Sequence, residues 1–401
     1  MSKRDHGDGG IDERGLDRWR LRWRVDGKRF TKSFHGSIGE ARKELRRLIK
    51  SADDGQHVPP DKMSLAAWID RWLALQRRGE DTGGRGLVNA RTLERYEELL
   101  RLHVIPTLGK RPLQRITATE IDTLYMALSA RLAPRTVHHV HTVFGACLNA
   151  AVRKGLLVVS PTSRAEAPVP GESDAGQVLD QEQLTALLSA FRGSVLYPII
   201  AVAAFTGARR NEILALRWSD LAGTTLTIAR SLEETKAHGR RFKAPKTRRG
   251  NRTIAIDGGL AGLLSVEREK YLRLTAGIAD GAEVDLSLVR LPDEALIFPS
   301  PGEDITRPRD ARSLTQQFVR RARKIGFPKL RFHDLRGTHE TLLLDAGVPV
   351  HVVAARCGHD PAILLRTYAR RTKKADESAA AVIGALAKGA LGCRAAPANG
   401  L

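Results

Sequence analysis

Two stretches rich in proline, glycine and acidic residues divide this chain, and they constrain its folding more than any other feature. Residues 51–63 (SADDGQHVPPDKM) and 164–178 (RAEAPVPGESDAGQV) are full of turn formers, so each reads as a linker. The 401 residues are long enough for each resulting unit to bury a core of its own. The expected class is α+β, mainly α with small antiparallel sheets. It comprises a ββα unit at 1–52, a helical bundle at 64–165 and a larger unit at 177–390.

In the first unit, Trp19-Arg-Leu-Arg-Trp-Arg-Val25 alternates large apolar and basic side chains, the period of a two-faced strand. Asp26-Gly27 predicts a tight hairpin turn and Arg29–Phe34 a returning strand. Ser37, with Glu40 three residues on, predicts a capped helix to about Lys50. Arg20, Arg22, Arg24, Lys28 and Lys32 are expected on the exposed face of the sheet. The bland alternative is a small packing unit with a solvated basic face.

From Ser64 onward the apolar period is helical. Ser64, Asn89 and Thr117 stand as N-caps and Pro134 opens a fourth helix, enough for a compact bundle. His138, His139 and His141 cannot all share one face, which fits surface or DNA-facing residues better than a metal site. In the third unit Asp180 caps a helix, SVLYPIIAVAAFTG is a nearly apolar core helix, and LTIARSL and NRTIAI read as strands of a small sheet. A new helix is expected from Ala208 to Trp218. The Ala/Gly-rich tail after about Lys374 reads as one helix, with Val382, Ile383 and Leu386 on an apolar face.

Lys and Arg number 66 against 45 Asp and Glu, a net charge of +21. A surface of that sign attracts a polyanion, and nucleic acid is the expected partner. No apolar run is long enough for a membrane span, and the polar start does not fit a secretory signal. Three widely spaced cysteines suit neither a disulfide framework nor zinc. A cytoplasmic protein, nucleoid-associated when bound, is the expectation.

Six polar residues of the C-terminal half fit one reaction. They are Arg209 in TGARRNE, Lys246 in APKTRRG, His333 and Arg336 in HDLRGT, His359 in CGHD, and Tyr368 nine residues later. Each fragment alone has a commoner meaning: RxxE is usually a surface ion pair, and a helical tyrosine is usually packing. Together they supply two guanidinium forks for a phosphate, a lysine able to hand a proton to a leaving oxygen, and two histidines. The tyrosine sits in a basic setting that eases its ionisation. Glu212, one turn from Arg209, is placed to orient the basic groups. The set needs no metal and no cofactor: His333, His339, His351 and His359 have no HExxH spacing and no carboxylate or thiol cluster to complete a zinc set.

At these residues the sequence resembles a tyrosine recombinase of the phage-integrase type. TGARRNEILALRWSDL is similar to the family's first arginine box, APKTRRGNRTIAI to its lysine hairpin, and HDLRGTHETLLLDAGV with CGHDPAILLRTY to its second box. The resemblance covers about residues 177–375. The 64–165 bundle resembles the family's core-binding domain, and the N-terminal unit its arm-site-binding domain.

The resemblance implies catalysis by Arg209, Lys246, His333, Arg336 and His359, with Tyr368 as nucleophile and Glu212 in support. It implies a 3′-phosphotyrosine intermediate, a C-shaped clamp on duplex attachment sites, and a tetramer on paired DNA exchanging strands through a Holliday junction. DNA-bending and excision proteins are possible accessories. Cys357 stands where the family usually has Leu, and Ala369-Arg370 where it usually has a histidine after the tyrosine. Neither removes a reacting group. Integration and excision of a phage or integrative element is the expected activity. The rivals are a dimer-resolving recombinase of the Xer kind, a type IB topoisomerase, and a non-catalytic repressor with the same fold.

Overall fold

The computed structural model describes residues 9–25, 27–53, 61–81, 88–171, 176–245, 248–279, 282–302 and 304–368. The fold is mainly helical with small antiparallel sheets, and it divides into two compact units, 1–173 and 174–401. The expected helix after Lys374, with Val382, Ile383 and Leu386, lies outside the described residues.

The first unit opens with a three-stranded antiparallel sheet, β1 (Gly10–Gly15), β2 (Arg18–Val25) and β3 (Lys28–His35), followed by α1 (Ile38–Asp53). Two strands were expected and there are three. The missed strand, GIDERG, has two glycines and only one apolar residue, so it carries no period-2 signal. Its pairing with β2 makes it a strand. The Ser37–Glu40 capping box forms as expected, with Ser37 N–H donating to the Glu40 carboxylate at 2.8 Å and Glu40 N–H to Ser37 Oγ at 3.3 Å. Leu21 and Trp23 pack with Ala41 and Leu45 of α1 in a small core.

The register corrects the expected basic face. Val25 pairs with Lys28 and Leu21 with Lys32, so both lysines stand on the face that α1 covers. Lys32 accordingly forms an ion pair with Glu44 of α1 at 2.8 Å. The open face carries Arg18, Arg20, Arg22 and Arg24 of β2, with Arg29 of β3 beside Arg24. Arg22 is engaged there with Asp12 at 2.6 Å. Even residues of β2 share a face with odd residues of β3, because two residues lie between the paired positions Val25 and Lys28.

The bundle follows: α2 (Leu65–Asp81), α3 (Ala90–Leu99), a π-helical turn (Leu100–Val104) running into α4 (Ile105–Leu108), α5 (Ala118–Ser129) and α6 (Pro134–Arg153). The π turn lies just before Pro106, whose ring cannot fit a regular helical backbone there. Asn89 caps α3 through Thr92 N–H, Thr117 makes a capping box with Glu120, and Ser64 Oγ accepts from Ala67 N–H. Trp68, Ile69, Phe144 and Leu148 are among the core residues, and the buried Trp68 indole donates to Cys147 O at 3.0 Å. His138 contacts Pro168 O, His141 contacts Tyr125 Oη, and His139 is exposed.

The second unit is built on α7 (Gln181–Phe191), α8 (Tyr197–Thr206), α9 (Arg210–Ile213), α10 (Gly258–Ala276), α11 (Ala311–Lys324), α12 (Asp334–Asp345), α13 (Val350–Cys357) and α14 (Pro361–Tyr368). Strands β4 (Leu221–Ala222), β5 (Thr225–Ile228) and β8 (Arg252–Ala255) form one antiparallel sheet, and β6 (Ser231–Thr235) and β7 (Gly239–Lys243) form a hairpin. Asp180 caps α7 as expected, and α8 is almost wholly buried. The helix expected over 208–218 is a single turn. After Ile213 the chain leaves the helix, and Leu214, Ala215 and Leu216 are buried in the core. Among the described residues, no helix is long and apolar enough to cross a membrane.

Candidate functional site

The site grows from α12. Its first eight residues, Asp334-Leu-Arg-Gly-Thr-His-Glu-Thr341, are all buried although most are polar. Burying such a helix is costly unless its side chains find partners. Asp334 accepts from Arg331, Thr338 Oγ1 from Leu179 N–H at 3.1 Å, and His339 contacts Ala204 O of α8 at 2.8 Å. A polar helix tied in this way holds Arg336 and Glu340 in fixed places.

Arg336 is 2% exposed. Its Nη1 donates to Gly207 O and its Nη2 to Cys357 O, both at 2.6 Å, and its Nε donates to His359 Nε2 at 3.2 Å while lying 3.0 Å from Glu340 Oε1 as an ion pair. Of the five hydrogens of a guanidinium, these bonds leave one on each terminal nitrogen for a ligand. Arg209 stands beside it at the start of α9, where Nη1 donates to Glu212 Oε1 at 2.8 Å and Nη2 to Gly358 O at 3.2 Å. The two arginines therefore grip consecutive carbonyls at the end of α13. Arg209 is the more accessible, with 39% of its side chain exposed.

Glycine is required where these segments meet. Gly207 ends α8 at φ +63°, and a Cβ there would lie 2.7 Å from His339 Cδ2 and 2.9 Å from Cys357 Sγ. Gly358 ends α13 at φ +67°, and a Cβ would fall 2.8 Å from Arg249 O. The left-handed turn at Gly358 delivers His359, whose Nε2 is 2.8 Å from Glu340 Oε1 and 3.2 Å from Arg336 Nε. Helix α14 begins two residues later and packs Leu364 against Val353 and Ala354 of α13. Tyr368 closes α14; its side chain lies outside the described residues, as does Lys246, in the connection between β7 and β8.

Glu212 is 3% exposed and receives Arg209 and Arg252 together, the latter from Nη2 at 2.9 Å. Burial alone would raise its pKa. Arg252, and then Arg209, overcome that and hold the carboxyl below its ordinary value. Arg252 also donates to Arg356 O and Gly250 O, so it fastens the start of β8 to α13. His333, just before α12, keeps an exposed edge. Burial of the rest of the ring, then the charges of Arg336 and Arg209, hold its pKa below the ordinary histidine value. At neutral pH it is therefore a proton acceptor.

The structure thus brings Arg209, Glu212, Arg336 and His359 into one bonded cluster, with His333 close enough to feel its charges. Sequence reasoning missed Glu340, Arg252 and the pair His339–Arg356, in which Arg356 Nε donates to His339 Nε2 at 3.2 Å. Glu340 alone carries a usable signal: it lies four residues after Arg336 on one helix. Among the described residues, no three His, Cys, Asp or Glu side chains converge as a metal site. Cys147 and Cys357 are buried free thiols, and burial pushes the Cys357 thiol up to about 12.

His339 gives a measurable pH dependence. Burial, with Arg356 beside it, lowers its pKa from 6.5 to about 4. A depressed folded value means that stability is full above about 6.5 and is lost as pH falls toward 4, at no more than about 1.4 kcal/mol per pH unit. In denaturant unfolding, the stability advantage of wild type over His339→Gln is expected to shrink by about 2 kcal/mol between pH 7 and 4.5. An advantage that does not change with pH would contradict a buried neutral His339.

Arginines, histidines and buried carboxylates from separated segments thus form one bonded cationic cluster, an arrangement chemically able to hold a phosphate. Comparisons with known proteins agree. The phage integrase family model matches residues 177–375, and the phage integrase central domain model matches 66–167. An integrase of Streptomyces ambofaciens is 27% identical over 414 residues, covering 96% of this chain and 98% of that protein. A XerC-like tyrosine recombinase of Caldanaerobacter subterraneus subsp. tengcongensis is 23% identical, covering 83% and 86%. Among solved structures, the Tn1549 transposon integrase bound to a circular intermediate DNA superposes with a TM-score of 0.63 at 18% identity, over 81% of this chain and 99% of that one. A lambda integrase dimer bound to a COC′ core site gives 0.56 at 15% identity, over 93% and 98%. These two likenesses concern the fold. The chain belongs to the phage integrase family, the tyrosine-type site-specific recombinases.

Proposed function

We propose that this recombinase joins and separates DNA attachment sites of a phage or integrative element through a covalent phosphotyrosine intermediate. The observation that supports this reading best is the bonded cluster of Arg209, Arg336 and His359 at the entrance to the helix that ends in Tyr368.

In this reading the Tyr368 hydroxyl attacks the scissile phosphorus. The neutral His333 takes the phenolic proton, the bond to the 5′ oxygen breaks, and Lys246 protonates that oxygen. Arg209, Arg336 and His359 hold the non-bridging oxygens as charge builds. The bond energy stays in the 3′-phosphotyrosine ester, so a 5′-hydroxyl of another duplex reverses the step without ATP or metal.

A tetramer on paired sites is part of the proposal. One similar solved structure is a lambda integrase tetramer bound to a Holliday junction. Accessory bending and excision proteins remain part of the reading, as does association with the nucleoid.

The three domains of the reading are an arm-binding unit at 1–52, a core-binding bundle at 64–165 and a catalytic unit at 177–390. The arm-binding role rests on the open arginine face of β2 and β3. Deleting residues 1–52 is expected to lower recombination more than cleavage of an isolated core site. Equal loss of both would remove the separate arm role, which is also what separates an integrase from a dimer resolvase here.

The test of the whole reading mixes purified protein, EDTA and no nucleotide with labelled DNA flanking its own gene. Recombinant junctions are the expected product. Relaxation alone would indicate a topoisomerase, and binding without cleavage a repressor.

A further inference from the structure

Lys246 lies in the connection between β7 and β8, and the described ends of that connection lie against each other: a Cβ on Gly250 would fall 2.4 Å from Pro245 Cβ. A short 3-10 turn, Arg248–Gly250, leads from it to β8. Arg252 ties this stretch to α13 and to Glu212 through the bonds given above. Arg249 binds a different helix. Its Nη1 donates to Asp360 Oδ2 at 2.5 Å, at the start of α14.

Asp360 serves two segments with one carboxylate. Its Oδ1 accepts from Ala362 N–H at 2.9 Å and its main-chain oxygen accepts from Ile363 and Leu364, so it caps the helix that ends in Tyr368. Its Oδ2 holds the turn that follows Lys246. The backbones already meet there, since a Cβ on Gly358 would fall 2.8 Å from Arg249 O. We propose that Arg249 and Asp360 are positioning residues, a latch that docks the Lys246 connection on the tyrosine helix. Lys246 then faces the leaving 5′ oxygen when Tyr368 attacks. The inference rests on the roles given above to Lys246 and Tyr368.

Two features set this pair apart from an ordinary surface ion pair. Asp360 is already fixed by its cap, so presenting Oδ2 to Arg249 costs little further side-chain freedom. The Ala362 N–H, and then Arg249, also hold its carboxyl below the ordinary value, which keeps it ionised at neutral pH. The size of the effect is bounded all the same. The side chains are 58% and 47% exposed, and an exposed pair is worth at most about fivefold in an equilibrium. Releasing the latch leaves Lys246 in the protein but lets its amine spend less time within reach of the leaving oxygen.

The experiment uses the full chain at saturating DNA and the attachment-site fragment taken from DNA flanking its own gene. One version carries the ordinary 5′ oxygen at the scissile bond and the other carries sulfur there. The sulfur departs as a thiolate and needs no proton, so a defect that runs through Lys246 disappears on it. Arg249→Gln, and Asp360→Asn, which keeps an oxygen for the cap, are each expected to slow adduct formation on the oxygen substrate by about three- to fivefold. The double variant is expected to be no slower than either alone. Arg249→Lys keeps the charge for what is a single bond, and its rate is expected within about twofold of wild type. On the sulfur substrate every variant is expected within about twofold of wild type.

Slowing that persists on the sulfur substrate would mean that the pair acts on Tyr368 or on the fold, and would overturn the proposal. So would wild-type rates in both single variants, or slowing that multiplies in the double variant. Weaker DNA binding by Arg249→Gln with an unchanged rate once bound would make Arg249 a DNA contact and overturn it as well. Lys246→Ala separates the latch from its premise: equal slowing on oxygen and sulfur would strike Lys246 as the proton donor. A wild-type protein forming no adduct on either substrate would strike the recombinase mechanism itself.

Discussion

Replacing Arg336 by alanine is expected to abolish adduct formation and to destabilise the second unit by about 3–5 kcal/mol, a double loss that few active-site arginines give. The stability loss follows from burial. Arg336 is held by two main-chain carbonyls and Glu340, so the alanine removes a guanidinium from a carboxylate that is 4% exposed. Lysine is not expected to rescue either property, because one ammonium cannot reproduce the planar fork that reaches Gly207 O and Cys357 O together. Arg209→Ala is the contrast. Its side chain is 39% exposed and Arg252 still pairs with Glu212 when it is removed, so cleavage should fall with a smaller loss of stability than for Arg336→Ala. Urea denaturation beside adduct yield separates the two cases. Unchanged stability of Arg336→Ala would contradict the bonding described for α12.

Tyr368→Phe is expected to remove covalent cleavage entirely while leaving DNA affinity within about twofold of wild type, since it deletes one oxygen and keeps the ring. The phenol is the only part of the residue that the proposed reaction uses. Filter binding measures the affinity and a denaturing gel the adduct. Recombination by this variant would remove Tyr368 from the mechanism, whatever the remaining residues do.

How much of this was legible beforehand depended on the kind of signal. Caps were legible because they are local: Ser37, Asn89, Thr117 and Asp180 each bond the backbone three residues on. The core helix α8 was legible from its composition. Strand β1 was not, because its sequence has no strand period and only pairing with β2 defines it. The basic face was half right: Arg20, Arg22 and Arg24 share it, but Lys28 and Lys32 are placed by the hairpin register on the other side. At the site, Arg209, Arg336 and His359 could be picked out by motif. Glu340 offered only its place four residues after Arg336, and Arg252 offered no signal, since their partners His359 and Glu212 lie 19 and 40 residues away and only folding brings them near.

The most direct measurement is to trap the adduct on a nicked attachment site in EDTA, digest it, and identify by mass spectrometry the residue and the phosphate end that are joined. An ester between Tyr368 and a 3′-phosphate, with a free 5′-hydroxyl on the other strand end, is the expected result. A 5′-phosphate linkage, or an ester on any other residue, would contradict Tyr368 as the nucleophile.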